Sequence, residues 1–181
     1  MSRLSVYHVS ALDLPNKVLG HLEDIAATLA EVGVHFARRQ PTQAVAPSAG
    51  VDELLAAYRP AIDALLGERG ASGFELDSLT REHPQRDELR DELLAERQGD
   101  RDEVRLVLAG RGQFALHIED HVYAVLCERN DLLVIPAGTR YWLDLGERPH
   151  FVAVRLLDAA GAGQLQLTGD DIASRLPRLD D

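Results

Sequence analysis

Apolar residues in the first half of the chain recur at the spacing of amphipathic helices. Two segments show this pattern, over residues 15–33 and 52–67, and a third helix is predicted over 84–95. The third begins with a proline, which is favoured in the first turn of a helix. Two further segments, 4–9 and 74–79, alternate with the period of two that indicates strands. The first half is therefore predicted to be mostly helical, with two strands.

From about Glu103 the pattern changes to short apolar runs at a regular pitch. The runs cover residues 104–109, 113–118, 122–127, 132–135, 141–145 and 151–157. Clusters of Gly, Pro, Asn and Asp separate them, as in an antiparallel sandwich or small barrel. We predict one domain over 1–181, with a helical N-terminal part (1–96) and C-terminal barrel strands (97–181).

Composition narrows the classes of partner. The chain has 181 residues, with 19 basic against 30 acidic side chains and a net charge of -11, which disfavours nucleic acid and anionic lipid. Its single cysteine, Cys127, permits no internal disulfide. There is no apolar stretch near the roughly 18 residues of a membrane span and no basic-then-apolar leader. We therefore expect a cytoplasmic protein that acts on neither nucleic acid nor membrane.

Several motifs resemble the acireductone dioxygenases of methionine salvage, a cupin family. They are LPNKV at 14–18, DEVRLVLAGRG at 102–112, LHIED at 116–120, YAVLCERNDL at 123–132, IPAGTRYW at 135–142, FVAVRL at 151–156 and TGDDIA at 168–173. The resemblance spans nearly the whole chain. It implies a mainly β fold, a jelly-roll cupin barrel with helices on one side.

The resemblance also implies one Fe(II) or Ni(II) ion, held by a His-x-His pair, a Glu four residues after it and a third His. Glu103 matches the Glu, whereas the three His positions fall on Arg97, Gly99 and Tyr141. Fe(II) and Ni(II) prefer imidazole nitrogens, and a guanidinium stays protonated and repels a dication. We therefore expect a diverged, metal-free site with no metal cofactor.

A buried Glu103 without a metal must be paired or protonated, because an isolated buried charge is costly. Arg97 is the nearest candidate partner, and Arg101 and Arg105 are also close in sequence. The candidate catalytic residues are Glu103, as a base, and Tyr141, as a donor to an enolate oxygen. The candidate substrate-binding residues are Arg97, Arg105, Trp142 and Arg155. Arg97 and Arg105 could instead serve only to neutralise Glu103 and Asp102. Tyr141 could fill the space left by a missing imidazole, and Trp142 could be core.

A second, weaker metal site is conceivable at a turn between two strands. His117 and His121 flank Glu119 and Asp120, which could complete a surface site. The alternative is that both histidines have ordinary structural roles in the barrel.

Three functions remain open at this point. The leading hypothesis is a metal-independent isomerase or lyase that performs proton transfer on a small anionic carbonyl compound. The second is a non-catalytic cupin that binds a small acid or partners a working paralogue. The third is a true acireductone dioxygenase of methionine salvage. The expected partner is a small anionic molecule, and the protein could be a monomer or a homodimer.

Overall fold

The computed structural model describes residues 1–158 and 163–180. The helices are α1 (Leu22–Ala30), α2 (Val51–Arg69), α3 (Arg86–Leu93) and α4 (Ile172–Arg175). The strands are β1 (Arg3–His8), β2 (Lys17–Leu19), β3 (His35–Arg38), β4 (Gly73–Thr80), β5 (Arg97–Gly99), β6 (Glu103–Ile118), β7 (His121–Glu128), β8 (Asp131–Ile135), β9 (Arg140–Asp144), β10 (His150–Leu157) and β11 (Leu165–Leu167).

The long strand β6 organises the sheet. Its second half belongs to a row in the order β11-β5-β9-β6-β7-β1-β2. Its first half pairs with β10 and β8, which in turn pair with β4 and β3. Every pairing is antiparallel. This confirms the predicted mainly β fold and places two rows of strands face to face along one shared strand.

Apolar side chains fill the space between the two rows and also cover their outer faces. The interior cluster includes Phe36, Phe114 and Phe151. A second cluster lies beneath α2, and a third lies beneath α4 around Trp142. Strands covered on both faces carry continuous apolar runs, which explains why β6 to β10 lack a clean polar alternation.

The N-terminal part contains more strand than its sequence pattern suggests. The first helix starts at Leu22, and residues 17–19 of the predicted helix form β2 against β1. Strand β3 was missed altogether, because four residues are too few to show a period. Since β1, β3 and β4 pair with β7, β8 and β10, the first half of the chain supplies walls of the barrel and not only helices.

Gly110 explains why two predicted runs form one strand. The Gly110-Arg-Gly segment has the composition of a turn, but β6 continues through it. Gly110 has φ +73°, and a Cβ at this position would lie 1.7 Å from the carbonyl oxygen of His150. The neighbouring β10 shifts register between Val152 and Ala153. Glycine is thus required by a bend within the strand, where its backbone approaches β10.

No helix in the described part of the chain is long and apolar enough to cross a lipid bilayer.

Candidate functional site

A cavity of about 370 Å³ opens between α3 and the interior faces of β4, β6, β9 and β10. Its apolar wall is mostly aliphatic and comprises Leu76, Leu79, Leu89, Leu93, Leu143, Leu145, Phe151 and Leu165. Its polar wall includes Asp77, Arg97, Arg105, Tyr141 and Arg155. A concave apolar site with a few convergent polar groups is the usual form of a small-molecule site.

Glu103 lies against this polar wall and is only 5% exposed. Tyr141 Oη donates a 2.6 Å hydrogen bond to Glu103 Oε2. Arg155 Nη2 donates to Oε1 at 2.8 Å, and Arg105 Nη2 lies 3.4 Å from Oε2. The structure therefore gives this buried carboxylate three donors, two of which are cationic, so its charge is compensated inside the fold.

Strand register brings these groups together. Arg155 on β10 lies directly opposite both Arg105 on β6 and Glu75 on β4. The side chains of Glu103 and Arg105 are two residues apart on one strand, so they face the same side of the sheet. That side is the barrel interior, where Arg105 lines the cavity.

Each guanidinium also reaches a carboxylate near the cavity mouth. Arg105 Nη1 donates to Asp77 Oδ2 at 2.9 Å, and Arg155 Nη1 lies 3.6 Å from Glu75 Oε1. Asp77 and Glu75 are 38% and 46% exposed. The result is a row of five side chains whose charges alternate in sign, with Glu103 at its centre.

Burial and charge set the ionisation of two members of the site. Burial raises the pKa of Tyr141 far above 10.0, and the nearby Glu103 carboxylate adds to the rise, so the phenol remains a hydrogen-bond donor. Burial by itself lowers the pKa of Arg105, but Glu103, Tyr141 and Asp77 together outweigh this effect and the pKa is raised. Arg105 is also stacked on the ring of Phe114, with 5.9 Å from Cζ to the centroid.

The expected Glu103–Arg97 ion pair was wrong. Arg97 lines the cavity, but its Nε donates to the carbonyl oxygen of Ala95 at 3.2 Å and its Nη2 to that of Glu92. Those carbonyls lie at and just after the end of α3, where backbone oxygens lack helical partners. Arg97 therefore anchors the end of the helix, while Arg105 and Arg155 contact Glu103.

Trp142 lies apart from the other candidate residues. It follows Tyr141 on β9 and so faces the opposite side of the sheet, where it packs with Ala115 and Ile172. It is 2% exposed and does not line the cavity. This agrees with the alternative interpretation of Trp142 as a core residue, since neighbours on a strand point in opposite directions.

The surroundings of Glu103 do not suit a metal cation. Two guanidiniums and a phenol hydrogen are directed at the carboxylate, and the described residues that line the cavity include no His or Cys. A guanidinium offers no lone pair and repels a dication. This part of the molecule is suited to an anion.

A different group of side chains has the donors that a transition metal prefers. Glu96, His117 and Asp170 each offer one ligand atom, and these atoms lie within 4.8 Å of one another. His117 Nδ1 is 2.7 Å from Glu96 Oε2, while Thr168 Oγ1 donates to Glu96 Oε1 at 2.6 Å. Glu96 and His117 are buried, and Asp170 is exposed. One imidazole and two carboxylates form a plausible set for a divalent ion.

This cluster corrects the predicted pairing of the histidines. The carboxylate beside His117 is Glu96, not Glu119 or Asp120, and Asp120 instead contacts His121 at 2.7 Å. Glu96 and Asp170 were missed, because they are 74 positions apart and only the pairing of β5 with β11 brings their segments together. The TGDDIA motif was the available signal, since it supplies both Asp170 and Thr168.

The cluster and the cavity lie on opposite faces of the same strands. Arg97 on β5 pairs with Tyr141, which pairs with Leu116 on β6, and these residues face inward. Glu96 and His117 are the adjacent residues and face outward. An ion at the cluster would therefore be separated from the cavity by the sheet.

Cys127 has no place in either site. It is a free, buried cysteine in the interior core. Burial raises its pKa well above the ordinary value, which leaves the thiol unreactive.

Comparisons with known proteins agree with one another. The model of the ARD/ARD' family matches residues 26–162. Over the full length of both chains, the sequence is 55% identical to an acireductone dioxygenase of Pseudomonas syringae pv. syringae (strain B728a) and 56% identical to one of Stutzerimonas stutzeri (strain A1501). The fold is also similar to that of a solved acireductone dioxygenase from Bacillus anthracis with a cadmium ion in its active center. The match includes 86% of this chain and 92% of the solved chain, with 25% identity and a TM-score of 0.71.

These findings confirm the resemblance and the cupin fold, and they overturn two expectations. The hypothesis of a metal-independent isomerase or lyase was wrong, because full-length relatives at this identity carry the dioxygenase name. The expectation of no metal cofactor was wrong as well, because the cluster at Glu96, His117 and Asp170 can hold an ion. The description of the site as metal-free was based on the three replaced histidine positions around Glu103, and the second candidate site combined His117 with the wrong carboxylates.

Proposed function

Because the chain belongs to the ARD/ARD' family, we propose that it is a metal-dependent acireductone dioxygenase. The observation that carries this proposal is identity of 53–56% over the full length of relatives that bear this name. Such an enzyme combines an acireductone with dioxygen, and both oxygen atoms enter the products. The reaction belongs to methionine salvage, and we place the protein in the cytoplasm.

The cavity suits the ionised form of such a substrate. An acireductone carries an enediol next to a carbonyl group, so loss of one proton gives a delocalised oxyanion. Arg105 and Arg155 are fixed in the wall by their contacts with Glu103, and guanidiniums bind paired oxygens through two parallel hydrogen bonds. The aliphatic wall would bury the rest of a small substrate.

Glu103 and Tyr141 are suited to handling the enediol proton. In this proposal a carboxylate oxygen of Glu103 accepts the proton from the substrate hydroxyl, and the two guanidiniums stabilise the oxyanion that forms. Tyr141 keeps its proton, so its Oη–H is available to either the carboxylate or the substrate oxygen. An electron-rich enediolate is the form that reacts with dioxygen.

The position of the metal follows from the chemistry of the available donor atoms. Among the described residues, Glu96, His117 and Asp170 would hold Fe(II) or Ni(II), the ions that the family implies. Bound there, the ion would lie across the sheet from the cavity, so it would supply positive charge that holds its three ligands together and would not contact the substrate. Its ligands would connect β5 and β6 to the segment after β11, the strand that contributes Leu165 to the cavity wall.

The test is dioxygen uptake by purified protein supplied with an acireductone, with and without added Fe(II) or Ni(II). The proposal expects metal-dependent uptake that Arg155→Leu reduces at least about tenfold, because the oxyanion loses a charged partner. Arg59→Leu, at an exposed i,i+4 ion pair with Asp63, is the matched control and should leave uptake unchanged. Uptake no faster than that of the substrate alone would refute the function.

A further inference from the structure

Of the five side chains whose charges alternate in sign, Arg105 is the one best placed to bind a ligand. Its side chain is 6% exposed, with Nη2 directed at Glu103 and Nη1 at Asp77. Its Nε is buried and has no hydrogen-bond partner in the part of the chain that the structure describes. A buried guanidinium with an unused donor is an unusual arrangement, because such a donor loses its hydrogen bond to water without replacement.

The two carboxylates on Arg105 differ in how easily a ligand could replace them. Glu103 is 5% exposed and has two further donors, Tyr141 and Arg155. Asp77 is 38% exposed, lines the cavity and has no other side-chain partner among the contacts described. The carboxylate that solvent and solutes can displace is therefore that of Asp77.

We propose that Asp77 occupies the place on Arg105 that a substrate oxyanion takes, so that its carboxylate competes with the substrate and limits affinity. The ligand class is a small oxyanion, and its identification as an acireductone enediolate rests on the proposed function. Asp77 is then a specificity-determining residue: it admits an anion that can outcompete a carboxylate for the guanidinium and disfavours weaker ones.

Asp77 would lower the affinity for an anion in two ways. Its negative charge repels the anion across a short distance, and its hydrogen bond uses the Nη1 donor that the anion needs. Asp77→Asn removes the charge while keeping the size and one acceptor oxygen. For a half-exposed charge near the protein surface, we expect affinity to rise about three- to tenfold.

The experiment is calorimetric titration of the metal-loaded protein with an acireductone under strictly anaerobic conditions, where binding occurs without turnover. Asp77→Asn is compared with the original chain and with Glu82→Gln, an exposed carboxylate paired with Arg81 outside the cavity. Inorganic phosphate serves as a second oxyanion. The proposal expects tighter binding of both probes by Asp77→Asn and no change for Glu82→Gln.

Unchanged or weaker binding by a folded Asp77→Asn protein would overturn the proposal, since Asp77 would then only position Arg105. Failure of the acireductone to bind to either form would overturn it as well. Tighter anaerobic binding without any dioxygen uptake would leave this inference standing and refute the dioxygenase function alone, so the two failures are distinguishable.

Discussion

The buried carboxylate of Glu103 is the residue on which the cavity is built. Its three donors come from strands β6, β9 and β10, which meet only in the folded barrel. Removing one partner of such a group leaves the others unpaired in a dry site, which costs more than the contact itself contributes. The same network fixes the two guanidiniums that would receive an anionic substrate.

Tyr141 leads to a prediction on pH. Tyr141 has a pKa near 10.0 in the unfolded chain and a higher pKa in the folded protein. At a pH between these two values, the unfolded chain has lost the phenol proton and the folded chain keeps it. Stability is therefore fully present below pH 10 and falls as the pH rises through this window. Tyr141→Phe should flatten this alkaline decline, measured as urea unfolding free energy between pH 8 and about 11.

Tyr123→Phe is the comparison, because burial raises the pKa of Tyr123 as well but the side chain is more exposed. Its effect on the slope should be smaller. An identical slope in the Tyr141→Phe protein and the original chain would show that the phenol ionises normally in the fold.

His117 leads to a prediction on metal content. After loading with Fe(II) or Ni(II) and gel filtration, the original chain should retain about one ion, since three ligands suffice for binding with water completing the shell. His117→Ala should lose it, whereas His121→Ala, which removes a partly exposed imidazole beside Asp120, should keep it. Elemental analysis gives the result independently of activity.

Glu103→Gln separates this cluster from the cavity. The account expects the Glu103→Gln protein to retain its ion. Loss of the ion in that variant, with retention in His117→Ala, would place the metal in the cavity and contradict the assignment.

Among the elements, β6 determines how the two rows of strands are joined. Its sixteen residues pass from one row to the other, and the bend at Gly110 accommodates the close approach of His150. The conformation has φ +73°, in the region that residues with a Cβ rarely adopt.

Gly110→Ala should therefore destabilise the fold by about 3 kcal/mol or more, because backbone strain and a clash with a carbonyl combine. Gly33→Ala provides the control: it has a similar φ of +80°, but nothing lies within 4 Å of the added Cβ. Its cost should be about 1 kcal/mol. Thermal or denaturant unfolding measures both, and equal losses would show that the clash is relieved by movement of β10.

Predictability from sequence differs between elements for physical reasons. The apolar runs of β7 to β10 were found within a residue or two, because these strands are covered on both faces and are bounded by turns. The first helix was placed too early, since Val18 fits the helical spacing but lies on β2 and is 55% exposed. In that segment pairing with β1 overrides local periodicity.

The residues of the two sites also differ in how far the sequence predicts their contacts. Glu103 and Arg105 lie two residues apart on one strand, so alternation by itself brings them to one face, and Tyr141 was identified through its motif. The partners Arg155, Asp77 and Glu75 depend on cross-strand register, which a single sequence does not specify. Glu96 and Asp170 could not be paired with His117 for the same reason.

At the scale of the whole molecule, the sheet separates two chemical environments. The inner face of β5, β6 and β9 presents arginines and a phenol to the cavity, and the outer face presents Glu96 and His117 to the segment after β11. The account assigns the oxyanion of an acireductone to the first and a divalent metal to the second. It therefore makes both anion binding and metal content necessary for turnover.

The most direct test is the rate of dioxygen uptake with an acireductone, measured on protein whose metal content is determined in the same sample. The account predicts uptake that rises in proportion to bound Fe(II) or Ni(II) and that vanishes in His117→Ala but not in His121→Ala. Uptake that is independent of bound metal, or absent from fully loaded protein, would contradict it.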